Sequence, residues 1–214
     1  MKKLESSLLN MVLVLMGVAL VMGGLLALVN HATETQIKQQ SEKALADGIK
    51  TVMATDKLTV TSNDTISQEF DKKPFTFIVH KVADDKGNEL GAAIESTTMG
   101  FGGDLKVLVG FSPKGEIMGY TLLEHAETPG LGAKADNWFQ KGEKGEIIGK
   151  TPEPELKVSK DKGTVDAITA STITSRAFLK AINQAYAVYM KKGTDGNTGA
   201  TKQEKPKNDK EETL

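Results

Sequence analysis

The sequence contains no cysteine in its 214 residues. That absence excludes disulfides, thiolate zinc sites, cysteine-ligated iron–sulfur clusters and a cysteine nucleophile. Any redox chemistry must therefore come from a bound organic cofactor or from a metal with nitrogen and oxygen ligands. The three histidines, His31, His80 and His125, are scattered along the chain and make no metal triad, so we predict no metal site.

The sequence also lacks an excess of charge of either sign, because its formal net charge is −1. Basic residues are spread along the chain and form no stripe, which argues against nucleic acid as a partner. Apolar residues make up 39% of the chain, enough for one packed domain with appendages.

Residues 8–29 form an almost wholly apolar run. A helix of this length crosses a hydrocarbon core of about 30 Å, whereas the apolar part of a cleaved signal peptide, the main alternative, has roughly 7 to 15 residues. We therefore predict a single transmembrane helix in contact with membrane lipid. Lys2 and Lys3 precede the run, so residues 1–7 are predicted to be cytoplasmic. Residues 30–192 then form an extracytoplasmic domain at the cell (inner) membrane, on the periplasmic side where an outer membrane exists.

The pattern after the apolar run predicts an α+β fold, an antiparallel sheet flanked by helices. Apolar residues recur at helical spacing within residues 34–56, whereas residues 59–69 show no clear period. The predicted strands are residues 75–79, 89–96, 105–109 and 115–123, the last two joined as a hairpin. Residues 133–141 are predicted as a short helix with Trp138 and Phe139 in the core, and residues 193–214 as a disordered polar tail.

Residues 166–175 are rich in hydroxyl and small side chains and lead into an amphipathic pattern, which places Thr172 at or near a helix start. A helix N-terminus favours a bound phosphate. Serine and threonine before a helix also commonly do no more than cap it, and the local pattern alone favours that interpretation. The loop of residues 124–132 combines a Pro-Gly turn with a carboxylate, a hydroxyl and the imidazole of His125, and can lie against a planar ligand or form a plain turn. A lone histidine in such a place is more often structural than a proton relay.

Three stretches, taken in order, resemble the FMN-binding domain family. They are residues 100–103 (GFGG), residues 125–132 (HAETPGLG) and residues 166–172 (DAITAST), within a motif core of about residues 91–190. When the chain length and the single predicted span are also considered, the sequence most resembles the G-subunit family of Rnf-type complexes. These complexes are ion-translocating ferredoxin:NAD oxidoreductases.

This resemblance implies a covalent FMN, joined through its phosphate to the hydroxyl of Thr172 by a separate flavin transferase. Thr172 is then an attachment point, and no catalytic residue is predicted. The chain has Ala170 and Ser171 where the commonest family wording, Thr-Gly-Ala-Thr, has glycine and alanine. The other residues expected to contact the cofactor are Thr169, Ala170, Ser171, Thr174, Ser175, Glu127, Thr128, Gly130, Leu131, Gly132 and Gly102.

The function that the resemblance implies is electron relay between this FMN and the other membrane subunits of an Rnf-type complex. The nearest alternative is the C subunit of the Na⁺-pumping NADH:quinone oxidoreductase, which shares the domain. Two more functions stay open, a stand-alone membrane-tethered flavoprotein reductase and a non-catalytic anchored module with Thr172 as a helix cap only. The span itself carries no charge, so this chain alone cannot be the ion path.

Overall fold

The computed structural model describes residues 8–70 and 72–194, with side chains up to residue 190. The chain divides into two compact units, Met1–Asp47 and Gly48–Leu214. The predicted cytoplasmic segment, residues 1–7, and residues 195–214 of the predicted tail lie outside the described residues.

Helix α1 (Leu8–Val52) begins in the first unit and continues into the second. It joins the predicted span of residues 8–29 and the predicted helix of residues 34–56 in one element, because no glycine or proline separates them. In the described part of the chain it is the one helix long and apolar enough to cross a membrane, judged by length and composition. Its apolar side chains, from Leu8 to Val29, are exposed, as a lipid-facing surface requires.

The second unit is built on a five-stranded antiparallel sheet in the order β1-β2-β3-β4-β5. This confirms the predicted α+β fold and the predicted β4–β5 hairpin. Strand β1 was not predicted. Its side chains alternate between exposed and half-buried positions, so its sequence does not alternate clearly between apolar and polar residues. The strands are β1 (Thr59–Phe70), β2 (Lys73–Ala83), β3 (Glu89–Met99), β4 (Asp104–Phe111) and β5 (Ile117–His125).

One face of the sheet receives the end of α1. Gly110 of β4 and Gly119 of β5 are directly paired, and both lie against the backbone of Val52. A Cβ atom at either glycine would overlap the Val52 backbone, so the close contact requires glycine at both positions.

The opposite face packs against α3 (Thr172–Thr194), which crosses β3 and β4. Helix α3 starts at Thr172 as predicted, but it extends past residue 192 to Thr194. An aromatic cluster joins it to β5, with ring centroids 4.3 Å apart between Phe139 and Phe178 and 4.7 Å apart between Tyr120 and Phe178. Phe139 is fully buried, which confirms its predicted place in the core, whereas Trp138 is half-buried.

The Tyr120 hydroxyl fixes the segment that follows β5. It donates to the Ala135 carbonyl at 2.8 Å and accepts the Phe139 N–H at 3.1 Å. Burial raises the pKa of this hydroxyl, so it stays protonated and keeps donating. The predicted helix of residues 133–141 is shorter than expected, a 3₁₀ turn (Gly132–Lys134) followed by α2 (Ala135–Trp138). This segment lies close to the start of α3 and forms one side of the candidate site.

Candidate functional site

A cavity of about 360 Å³ lies at the start of α3. Its lining includes residues from all three stretches that the sequence singled out, the glycine-rich loop after β3, the loop after β5 and the hydroxyl-rich run before α3. The residues that border it are Phe101, Glu127, Thr128, Leu131, Gly132, Ala170, Ser171, Thr172, Ile173 and Thr174.

The carboxylate of Glu127 holds these three stretches together. Its Oε1 accepts the backbone N–H of Phe101 at 2.7 Å, and its Oε2 accepts the Thr174 hydroxyl at 2.8 Å. Oε1 also accepts a longer hydrogen bond, 3.4 Å, from the backbone N–H of Gly102. Glu127 is only 6% exposed, and a buried carboxylate that accepts these hydrogen bonds is a strong and specific tie. One side chain thus fixes the positions of two loops relative to the helix start.

Glycine is required on both sides of this carboxylate. A Cβ atom at Gly100 would overlap Glu127 Oε1, and one at Gly132 would overlap Glu127 Oε2 and crowd the Thr174 hydroxyl. A Cβ atom at Gly102 would overlap the Ala126 carbonyl. The glycines therefore allow the loops to close around Glu127 while leaving the cavity open at Thr172.

The start of α3 is shaped by Ser175. Its hydroxyl accepts the N–H of Ile168 and donates to the carbonyl of Ser171, both at 2.9 Å, so the loop closes onto the first helical turn. In the described residues, the N–H groups of Thr172, Ile173 and Thr174 have no hydrogen-bond partner. These donors and the positive end of the helix dipole together favour an anion.

Ala170 has a left-handed backbone, with φ of 62°. An L-residue pays a steric cost in this region that glycine does not pay. At this position the commonest form of the motif in the FMN-binding domain family, Thr-Gly-Ala-Thr, has glycine. The chain therefore keeps the turn before Thr172 and carries a Cβ atom there at some cost in stability.

The ammonium of Lys160 lies 3.1 Å from Oγ1 of Thr172 and donates to it. Lys160 belongs to a 3₁₀ turn (Ser159–Asp161), and the turn is tied to α3 by two hydrogen bonds from Arg176 to Asp161, at 2.6 and 2.7 Å. The Arg176 guanidinium lowers the pKa of the Asp161 carboxyl, which therefore stays charged at neutral pH. Lys160 was not predicted as a site residue, because nothing in the sequence pattern before residue 166 indicates that this turn faces Thr172.

The structure brings together most, but not all, of the residues predicted to contact a cofactor. Eight of them border the cavity: Glu127, Thr128, Leu131, Gly132, Ala170, Ser171, Thr172 and Thr174. Gly102 and Gly130 lie in the adjoining loops, Thr169 is exposed on the turn before the helix, and Ser175 is buried under the first turn, so none of these four borders the cavity. Phe101 borders it from within the predicted loop of residues 100–103, and Ile173 borders it without having been predicted; their side chains are 68% and 53% exposed.

His125 lies beside the site and has a structural contact. Its Nδ1 accepts the backbone N–H of Glu127 at 3.3 Å, and its Nε2 lies 3.7 Å from a carboxylate oxygen of Asp136. The imidazole thereby supports the residue that ties the loops together. Within the described residues, no group of histidine, aspartate and glutamate side chains is placed to hold a metal ion.

The arrangement suits a ligand with an anionic end and a flat apolar part. Unpartnered N–H groups and the Lys160 ammonium meet at Thr172, whereas Phe101, Leu131 and Ile173 offer apolar surface along the same cavity. The hydroxyl of Thr172 is half-buried and accessible from the cavity, whereas that of Ser175 is enclosed. A phosphate-bearing aromatic group fits these features in charge and in polarity.

Comparisons with protein-family models match two parts of the chain. Residues 100–187 match the model described as the FMN-binding domain. Residues 1–52 match the model described as the RnfG N-terminal region. The first match includes every residue that borders the cavity.

Curated relatives are similar over most of the chain. The G subunit of the ion-translocating oxidoreductase complex of Shewanella baltica is 34% identical over 181 residues, which cover 78% of this chain and 82% of the relative. The protein of the same name from Vibrio parahaemolyticus is 34% identical over 166 residues, covering 74% of this chain and 78% of the relative.

Solved structures show a weaker similarity. The C subunit of the Na⁺-translocating NADH-quinone reductase from Parabacteroides distasonis has a TM-score of 0.49 and 17% identity, covering 78% of this chain and 98% of that one. The NqrC protein of Shewanella oneidensis has a TM-score of 0.43 and 19% identity, covering 63% of this chain and 71% of that one. Similarity at this level does not bear on function.

Proposed function

This chain belongs to the family of G subunits of ion-translocating oxidoreductase complexes, and on that premise we propose that it carries an FMN joined by a phosphoester to Oγ1 of Thr172. The chain is an electron-carrying subunit of such a complex. We assign it to the ferredoxin:NAD type, in which the flavin relays electrons between this domain and the other membrane subunits. The observation that carries the proposal is the cavity at the start of α3, where the Thr172 hydroxyl, unpartnered N–H groups and a lysine ammonium meet.

Each part of the site has a role in holding the cofactor. The N–H groups at the start of α3 would bind the phosphate oxygens, and the apolar side chains of Phe101, Leu131 and Ile173 would contact the ring system. Glu127 contributes indirectly, because it fixes both loops against the helix. When bound, the flavin supplies the redox chemistry, and the protein supplies orientation and the exclusion of water.

Thr172 is proposed as the tether and not as a catalyst. No described carboxylate or imidazole is hydrogen-bonded to its hydroxyl, and a threonine hydroxyl without an activating base is a poor nucleophile. A separate flavin transferase is therefore the second partner that we propose. Thr169 and Ser171 are the rival acceptors, but Thr169 does not border the cavity, and Ser171, which does, is more buried than Thr172.

The proposed topology follows from the apolar part of α1 and the charges around it. Residues 8–29 would lie in contact with lipid, residues 1–7 in the cytoplasm and residues 30–192 on the extracytoplasmic face of the cell (inner) membrane. The flavin would then face the outer side of the membrane. A single span without charged residues leaves ion translocation to the other members of the complex.

The test is the intact mass of the full-length protein purified from membranes in which its flavin transferase is present. We expect one added FMN phosphoester in the wild type, none in Thr172→Ala and restored attachment in Thr172→Ser, which keeps a hydroxyl. Thr169→Ala is the matched control for a nearby hydroxyl and should carry the full modification. Attachment that persists in Thr172→Ala would refute the assigned site, and an unmodified wild type would refute the covalent carrier.

A further inference from the structure

The contact between Lys160 and Thr172 is not explained by folding alone. Lys160 is exposed, and pairing of an exposed ammonium with a neutral hydroxyl adds little to stability, yet its ammonium donates to the hydroxyl of Thr172, which borders the cavity beside the unpartnered N–H groups. We propose that Lys160 is a positioning residue for the phosphoryl group of the flavin and that its positive charge speeds flavin attachment at Thr172. This inference rests on the proposed function.

The backbone around Lys160 is held in place from two sides. Arg176, on the second turn of α3, makes two short hydrogen bonds to Asp161, the next residue after Lys160. On the other side, the Ser159 hydroxyl lies 2.9 Å from an oxygen of Asp166 and 3.0 Å from the Val165 carbonyl. These ties fix the backbone of the turn beside the start of the helix, so the lysine side chain begins within reach of Thr172.

Among the hydrogen bonds of the described residues, Lys160 is the cationic side chain that contacts the Thr172 hydroxyl. Among the residues that border the cavity, none is a lysine or an arginine. Arg176 is paired with Asp161 through both of its hydrogen bonds, and the Glu127 carboxylate is turned toward Phe101 and Thr174. A phosphodiester carries one negative charge, which one ammonium together with the helix dipole can balance.

The attachment step can be written so that it balances. The bond between Thr172 Oγ1 and the flavin phosphorus forms, and the pyrophosphate P–O bond of a flavin dinucleotide donor breaks. A nucleoside monophosphate leaves, and the hydroxyl proton passes to a base of the transferase. No electron is exchanged. The charge of the broken P–O bond leaves with the nucleoside monophosphate, whereas the transferred phosphoryl oxygens stay negatively charged while the new bond to Oγ1 forms, and the Lys160 ammonium beside Oγ1 stabilises that charge.

The experiment measures the rate at which detergent-solubilised full-length protein acquires flavin from the transferase and a flavin dinucleotide, by intact mass and by in-gel flavin fluorescence. Lys160→Met should lower that rate about tenfold, the effect expected for loss of one charge-assisted contact. Lys160→Arg should keep the rate within about threefold, because it keeps the charge. Lys160→Gln keeps a donor but no charge and should resemble Lys160→Met, and Lys160→Glu should be slowest.

Lys157→Met is the matched control and should react at the wild-type rate. Lys157 is an exposed lysine of the same loop, and in the described part of the chain its ammonium pairs with Glu155 and makes no hydrogen bond to Thr172. The ratio of the attachment rates of the wild type and Lys160→Met should also fall when salt is raised from about 50 to about 500 mM. Screening by salt weakens an effect of charge and leaves a purely structural effect unchanged. A wild-type rate in Lys160→Gln, or a rate ratio that salt does not alter, would overturn the role of the charge.

The two proposals fail separately. A wild type that acquires no flavin refutes the attachment itself, whereas attachment at the wild-type rate in Lys160→Met refutes only the role of Lys160.

Discussion

Replacement of Glu127 tests whether one carboxylate organises the site. In Glu127→Ala, the Phe101 N–H and the Thr174 hydroxyl both lose a charged acceptor. Hydrogen bonds to charged groups contribute about 1.5–3 kcal/mol each, and part of this loss is recovered by water at the exposed Phe101, so we expect destabilisation of about 2–4 kcal/mol. Glu127→Gln can keep both contacts, with its oxygen toward Phe101 and its amide toward Thr174, and should cost only about 1 kcal/mol.

The assay is urea unfolding of the full-length protein in detergent, followed by the fluorescence of Trp138, the single tryptophan. Trp138 reports on the region of the site because its indole N–H donates to the Asp166 carbonyl at 2.8 Å. Glu124→Ala, an exposed carboxylate at the end of β5, is the control and should stay within about 0.5 kcal/mol of the wild type. Equal midpoints for Glu127→Ala and Glu124→Ala would refute the organising role of Glu127.

Three further predictions concern the turn before α3, the sheet and the topology. Ala170→Gly should raise stability by about 0.5 kcal/mol in the same urea assay, because relief of the left-handed strain at φ of 62° exceeds the added chain entropy; a lower midpoint would contradict this. Burial alone would raise the pKa of Glu95, but hydrogen bonds from His80 and Lys106 lower it overall. The stability that this lowered pKa provides is present above about pH 4.3, the pKa of an unfolded glutamate, and is lost as the pH falls through the pKa of Glu95 in the folded protein. Glu95→Gln should therefore flatten the acid side of the curve of stability against pH. An unchanged curve would argue against a stabilising role for the Glu95 carboxylate. Because the chain has no cysteine, Lys114→Cys in the exposed β4–β5 turn should react with a membrane-impermeant maleimide added outside intact cells or spheroplasts, and labelling only after lysis would reverse the proposed topology.

The sequence predicted those features that depend on local periodicity. The start of α3 at Thr172 followed from the amphipathic spacing after it, and four strands followed from runs of apolar and β-branched residues. Strand β1 was missed because an edge strand with half-buried polar side chains has no apolar alternation. The helical pattern of residues 34–56 was interpreted as a helix leaving the membrane, and it joins the span in one element because residues 30–33 contain no glycine or proline.

The contacts inside the site depend on pairs of residues that are far apart in the chain. Glu127 is 26 residues from Phe101 and 47 residues from Thr174, and no local pattern indicates that its carboxylate meets both. Ser175 looked like a further donor from its place in the motif, yet its hydroxyl closes the turn from Ile168 to Ser171 and does not border the cavity. Lys160 lies next to Thr172 because the Asp161–Arg176 pair and the Ser159 hydroxyl hold its turn beside the start of the helix.

The most direct test of the central claim is fragment mass spectrometry of the tryptic peptide of residues 163–176 from protein purified out of its native membrane. Cleavage after Lys162 and Arg176 releases this peptide, which carries Thr172 together with the rival hydroxyls of Thr169 and Ser171. The account predicts a peptide heavier by one FMN less one water, with fragment ions that place the whole addition on Thr172. An unmodified peptide, or an addition on any other residue, would contradict it.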